Sequence, residues 1–216
     1  MALAEDKSGF IASVMEAGPV IPVVVIRELE AAVPLARALL AGGISVIEVT
    51  LRTSVALDAI RAIAAEVEGI VPGAGTVLDA AQLEAANAAG AKFAVSPGAT
   101  AALLDAAQDH PLPLLPGAAT ASEAMALIER GICHQKFFPA GASGGAGYLA
   151  SLVSPLPMAK FCPTGGVTPA NARDYLALAN VSCVGGSWIT PSDAIAGGDW
   201  DGIEALARQA AGLGRR

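Results

Sequence analysis

The sequence predicts an α/β fold of the TIM-barrel class, a (β/α)8 barrel with an extra N-terminal helix. Three observations carry that expectation. Eight short apolar runs recur about every 20–25 residues, and Ala-rich segments of helical composition lie between most of them. The runs read as continuous hydrophobic stretches, as parallel strands do when helices cover their outer side. Composition alone leaves the domain count open at 216 residues. The spacing, however, never breaks for a switch point or a second domain, which favours a barrel over a doubly wound sheet. One domain is therefore expected over residues 1–216, with residues 1–17 as the helix that closes the bottom of the barrel.

In chain order, a helix at 5–16 precedes the first strand. The apolar runs at 19–26, 45–51, 69–77, 92–97, 112–116, 135–139, 159–164 and 181–185 are the expected strands. Helices are expected at 31–41, 54–67, 79–89, 100–108, 121–130, 145–153, 169–179 and 199–211. Asp79 and Thr120 stand as caps before Ala-rich runs, and Thr168-Pro169 reads as a cap followed by proline at the first helical position. Gly42-Gly43, Gly69, Gly90 and Gly131 each follow a helical segment and read as stop signals. Pro155-Leu156-Pro157 is too short for a domain linker and reads as a helix-to-strand connection.

Composition bounds the function. Hydrophobic residues make up 54 % of the chain and charged ones 15 %, enough to bury a core and to exclude disorder. Aromatics are only 4 %, so alanine, valine, leucine, isoleucine and 24 glycines must build thin, tightly packed layers. The 13 Lys+Arg against 20 Asp+Glu give a net charge of −7, and the one basic cluster is the terminal Arg215-Arg216. A nucleic-acid partner is excluded on that ground. The acidic start at Glu5 and Asp6 does not read as a secretory signal, and no apolar stretch is long enough to span a membrane. A cytoplasmic protein is expected, with no membrane partner. Cys133, Cys162 and Cys183 are odd in number and lack C-x-x-C spacing, which fits buried free thiols better than a disulfide or metal role.

In such barrels the chemistry sits at the carboxyl ends of the strands, so charged residues there are informative. The second run, SVIEVTLR, places Glu48, Thr50 and Arg52 on one side by its period of two. A glutamate among valines and isoleucines is costly unless it is ion-paired or functional, and both readings stand. The sixth run carries Lys136 beside Phe137 and Phe138. It is either a rim lysine whose head reaches water or an amine made nucleophilic by desolvation and a nearby arginine. Lys92 and Lys160, at the beginnings of their strands, fit the rim reading. An uncharged Lys136 would form a Schiff base with a carbonyl, and Glu48 would move the protons that step needs.

Glycines end several runs: Gly73-Ala74-Gly75-Thr76, Ser96-Pro97-Gly98, Thr164-Gly165-Gly166 and Gly185-Gly186-Ser187. Each pair alone is explained by a tight turn. Together, after the seventh and eighth strands, they favour backbone binding of a phosphate. No Walker loop or dinucleotide fingerprint is present. The two histidines, His110 and His134, fall in expected loops before strands, which argues against a metal site and against Ser–His–Asp catalysis.

VIEVTLRT (46–53), GAGTVL (73–78), SPG (96–98), KFFPA (136–140), KFCPTGGVTP (160–169) and GGSW (185–188) together resemble the 2-keto-3-deoxy-6-phosphogluconate (KDPG) aldolase and 2-keto-4-hydroxyglutarate (KHG) aldolase family, class I. The likeness runs in order from about Pro19 to Trp200. It implies a homotrimeric barrel that splits a phosphorylated keto acid of the Entner–Doudoroff pathway into pyruvate and glyceraldehyde 3-phosphate, with no metal and no cofactor. By the same resemblance, Lys136 is the Schiff-base lysine and Glu48 the general acid/base. Arg52 and Thr76 hold the pyruvate carboxylate, a role an arginine fork suits. Thr164, with Phe138 and Pro97, contacts substrate and controls stereochemistry. Gly165, Gly166, Gly186 and Ser187 bind the phosphate.

Two positions depart from the family pattern. Gly141 stands where an acidic residue is common, and Gln135 where an apolar one precedes the lysine. By alternation Gln135 points away from Lys136, toward the helices. The alternatives are a related class I aldolase preferring KHG or the 6-phosphogalactonate epimer and, more distantly, a non-catalytic phospho-sugar-binding or scaffold barrel.

Overall fold

The computed structural model describes residues 2–214, so the Arg215-Arg216 pair lies outside the described residues. The fold is α/β, with a parallel sheet curled on itself. Strands β1 (Val20–Val24), β2 (Val46–Thr50), β3 (Val71–Gly75), β4 (Phe93–Val95), β5 (Leu114–Leu115) and β9 (Val184–Gly186) form one sheet in the order β5-β4-β3-β2-β1-β9. Strands β6 (Gly117–Ala118), β7 (His134–Phe137) and β8 (Lys160–Pro163) form a second, in the order β6-β7-β8.

The two sheets meet at both ends. The run expected at 112–116 extends to Ala118 but is interrupted at Pro116, which has no N–H to give to a ladder. Its carbonyl still accepts the Lys136 N–H at 2.9 Å. On the other side, isolated bridges pair Phe161 with Val181 and Thr164 with Gly185, and the Ser182 N–H donates to Phe161 O at 3.0 Å.

Helix α1 (Ala2–Glu16) precedes β1. The connecting helices are α2 (Ala32–Ala41), α3 (Ala56–Glu66), α4 (Ala80–Ala88), α5 (Ala101–Asp109), α6 (Ala121–Glu129), α7 (Gly145–Leu152) and α8 (Ala172–Leu176), and α9 (Ser192–Gly197) and α10 (Trp200–Ala211) follow β9. Asp79 and Thr120 cap as expected: Asp79 accepts the Gln82 N–H, and Thr120 with Glu123 forms a reciprocal capping box. Thr168-Pro169 does not start a helix. Thr168 O accepts the N–H groups of Asn171 and Ala172, a turn that delays α8 to Ala172. The short α9 was not expected from the sequence, and His134 is the first residue of β7 rather than a loop residue.

Alternation along the strands divides the core. Ile47 and Val49 of β2 face the helices in the large outer cluster. Val46 faces inward, where Ile11, Val14 and Met15 of α1 pack with Ile21, Phe93 and Cys162 of three further strands. Glu48 follows Val46 by two residues and so shares its inward direction, toward the carboxyl ends of the strands. Gln135 faces outward: its Nε2 donates to Ala124 O and Ile132 O at 3.1 and 3.0 Å. Of the three cysteines, Cys162 and Cys183 are buried and Cys133 is half-buried.

His134 lies at the amino-terminal end of β7, away from the carboxyl ends. Burial lowers its pKa from the ordinary 6.5, partly offset by Glu16, while Lys160 lowers it further. Both states are neutral above pH 6.5; below it the unfolded chain takes up the proton first, so stability falls as pH drops toward the folded pKa. Urea unfolding at pH 7.5 and 5.5 should show a loss of stability in the native chain that a His134→Gln variant lacks.

Candidate active site

The inward face of β2 and the inward face of β7 each carry one charged residue, and the curl of the sheet brings them together. Lys136 Nζ lies 3.0 Å from Glu48 Oε1 and 3.4 Å from Oε2. Glu48 is 4 % exposed and Lys136 5 % exposed, so the pair is out of bulk water. The two readings of Glu48 converge, because the buried ion pair is made with the candidate Schiff-base lysine. The charged group within hydrogen-bond reach of the amine is this carboxylate, in place of the arginine expected from sequence. The ring of Phe138 stands 5.5 Å from Nζ and covers it.

Room for the carboxylate comes from glycine. Glu48 pairs in register with Gly73 and Thr50 with Gly75 on the neighbouring β3. A Cβ on Gly75 would fall 2.3 Å from Glu48 Oε1, and one on Gly73 would fall 2.3 Å from the Phe93 ring. These positions are bare because larger inward groups of the adjacent strands occupy their space. Gly75→Ala should therefore displace Glu48 and lower kcat by about a hundredfold, the usual cost of a misplacement on the scale of an ångström. Steady-state kinetics with a parallel melting curve would check it; unchanged kcat in a folded variant would contradict it.

Beyond β2 the chain turns sharply, the Arg52 N–H donating to Thr50 O at 2.8 Å. Arg52 thus leaves the strand and reaches the exposed mouth, where its Nε donates to Thr76 Oγ1 at 3.1 Å. Thr76 adopts φ 61°, a left-handed conformation costly for a β-branched residue. That strain is stored where the hydroxyl meets the guanidinium. Thr50, by contrast, is fully buried and donates from Oγ1 to Val24 O at 2.8 Å, a structural tie between β2 and β1.

Thr164, at the end of β8, is buried, its hydroxyl donating to Cys162 O at 3.3 Å. Lys136 and Cys162 are register partners, so Thr164 stands one inward step above the lysine's neighbour. Pro97, half-buried, lies against Gly117, where a Cβ would fall 2.3 Å from Pro97 O. Gly165 and Gly166 have φ of 90° and 77°. Their carbonyls are engaged, Gly165 O with the Gly141 N–H and Gly166 O with Asn171 Nδ2. Their N–H groups, with that of Ser187, meet no acceptor among the described residues. Gly186 has a steric reason of its own, since a Cβ there would fall 2.1 Å from the Trp188 ring.

Of the sequence-predicted site residues, Glu48 lies midway along β2 and Lys136 inside β7, while the others lie at or beyond the carboxyl ends of the strands. Lys136 and Glu48 are in contact, as are Arg52 and Thr76, while Gly186 ends β9 and Ser187 follows it, next to the Gly185 that bridges to Thr164. Sequence reasoning missed the spatial duty of Gly75 and Gly185, because only strand register shows whose side chain lies over a bare α-carbon.

The family model described as KDPG and KHG aldolase matches residues 11–206. The KHG/KDPG aldolase of Escherichia coli (strain K12) is 54 % identical over 198 residues, covering 92 % of this chain and 93 % of that protein. The crystal structure of KDPG aldolase from Legionella pneumophila, with pyruvate captured as a covalent carbinolamine, superposes with a TM-score of 0.91 at 49 % identity, covering 93 % of this chain and 98 % of that one. That of Zymomonas mobilis ZM4 with 3-phosphoglycerate gives 0.90 at 47 % identity, covering 95 % and 96 %.

Proposed function

Since the chain belongs to the KDPG and KHG aldolase family, we propose that it is a class I aldolase, a lyase that cleaves 2-keto-3-deoxy-6-phosphogluconate to pyruvate and glyceraldehyde 3-phosphate through a Schiff base on Lys136. The observation that carries the residue roles is the Lys136–Glu48 contact at 3.0 Å, with both side chains buried.

The contact supplies the first step. Glu48 takes a proton from Lys136 Nζ, and the freed amine attacks C2 of the keto acid. Glu48 returns the proton to the carbinolamine hydroxyl, which leaves as water and gives the iminium. Glu48, through a water, then takes the proton of the C4 hydroxyl. The C3–C4 bond breaks, glyceraldehyde 3-phosphate departs, and the electron pair moves into the iminium to form an enamine. Protonation at C3 and hydrolysis release pyruvate and restore the lysine. The iminium is itself the electron sink.

Arg52, held against Thr76 Oγ1, receives the substrate carboxylate. Phe138, Pro97 and Thr164 line the path of the remaining carbons. The N–H groups of Gly165, Gly166 and Ser187, which meet no acceptor among the described residues, with Gly186 beside Ser187, receive the phosphate at the other end. In this reading the two sheets are one closed (β/α)8 barrel and one domain, with α1 closing its amino-terminal end, as the meeting of β8 with the 181–185 segment supports. The protein works as a cytoplasmic homotrimer; no helix among the described residues is long and apolar enough to cross a membrane. Exposed Leu29, Leu78, Met125 and Met158 offer apolar surface to a subunit contact.

Pyruvate release coupled to lactate dehydrogenase tests the activity. Turnover of the phosphogluconate-derived keto acid faster than of its galactonate epimer and of 2-keto-4-hydroxyglutarate is expected. No pyruvate from any of the three would overturn the reading in favour of a binding or scaffold barrel.

A further inference from the structure

Gly185 belongs to the run of glycines read from sequence as phosphate-binding backbone, yet its own α-carbon lies inside the sheet. It pairs with Ile21 of β1 on one side and bridges to Thr164 on the other. A Cβ built on it would fall 2.1 Å from Thr164 Oγ1, 2.9 Å from Cγ2 and 3.0 Å from Cβ. The Thr164 side chain thus occupies the space that residue 185 would otherwise fill. Both branches of the threonine press on that space, so this χ1 rotamer is available only above a bare α-carbon. It is the rotamer in which the hydroxyl donates to Cys162 O at 3.3 Å.

We propose that Gly185 is a positioning residue that fixes the Thr164 side chain and, through it, the enzyme's choice between substrates of opposite configuration at C4. This rests on the reading of Thr164 as the group that meets the substrate at that carbon. A methyl group at 185 drives Thr164 to the rotamer that turns its hydrogen toward the strand, and the hydroxyl moves with it. Lys136 and Glu48 lie on other strands, so pyruvate still forms its imine.

The test is a double-mutant cycle on Gly185→Ala and Thr164→Ala, read as the ratio of kcat/KM for the phosphogluconate-derived keto acid to that for its galactonate epimer. Gly185→Ala should lower the ratio about tenfold while the borohydride-trapped pyruvate adduct keeps its yield. Thr164→Ala should lower the ratio similarly, and adding Gly185→Ala to it should change nothing further. An unchanged ratio in Gly185→Ala, or equal losses that multiply in the double variant, would overturn the proposal while leaving Thr164's role intact. An unchanged ratio in Thr164→Ala would overturn the reading of Thr164 and this proposal with it. If Gly185→Ala folds poorly, the melting temperature decides: the double variant, which removes the Oγ1 and Cγ2 overlaps and keeps only the 3.0 Å Cβ contact, should recover most of it, and equal instability in both would contradict the steric argument.

Discussion

Lys136→Met should abolish pyruvate release, lowering kcat/KM by at least about 10⁴-fold, because among the described residues no other amine pairs with Glu48 to form the imine. The substitution keeps the length and apolar stem of the side chain, so Phe138 still has a surface to cover. It removes the positive partner of a carboxylate that is 4 % exposed. Breaking one side of a buried pair costs about 3–5 kcal/mol, since the remaining charge is left without compensation. The melting temperature should therefore fall in Lys136→Met and recover in part when Glu48→Gln is added, which neutralises the stranded charge. Activity does not recover with it. A parallel recovery of both would mean that the loss came from stability and not from the missing nucleophile.

Glu48→Gln separates the two chemical duties of the site. The amide keeps the shape of the carboxylate and an oxygen for Lys136 Nζ, but it cannot carry a proton between the amine, the carbinolamine and the C4 hydroxyl. Positioned acid/base catalysis contributes about 10²–10⁴-fold, and kcat should fall within that range. Imine formation with pyruvate should persist, more slowly, with bulk water carrying the protons. Single-turnover trapping compared with steady-state kcat distinguishes the steps; turnover near that of the native chain would remove Glu48 from the role of main proton carrier.

Glu48 was legible in sequence because a charge inside VIEVT is expensive, and Lys136 because Phe137 and Phe138 follow it directly. Their contact was legible only as direction, inward for both. The 3.0 Å distance depends on a register and curl set by residues 88 positions apart in the chain. The local signals at Asp79 and Thr120 succeeded because a cap is decided within three residues. Thr168-Pro169 carried the same kind of signal and misled, since Asn171 Oδ1 accepts the Thr168 N–H and holds a turn in its place. Helix α9 is a six-residue segment, too short to show a helical period. The departures at Gln135 and Gly141 find different explanations. Gln135 ties β7 to the carbonyls around α6, while the Gly141 N–H ties the 139–145 turn to Gly165 O at 2.9 Å.

The most direct measurement is borohydride reduction in the presence of pyruvate, followed by intact mass and peptide mapping. The chain has four lysines, Lys7, Lys92, Lys136 and Lys160, so the site of modification is unambiguous. One reduced pyruvate adduct per chain, on the peptide carrying Lys136, is the result expected. No adduct, or an adduct on Lys92 or Lys160 with Lys136 untouched, would contradict it.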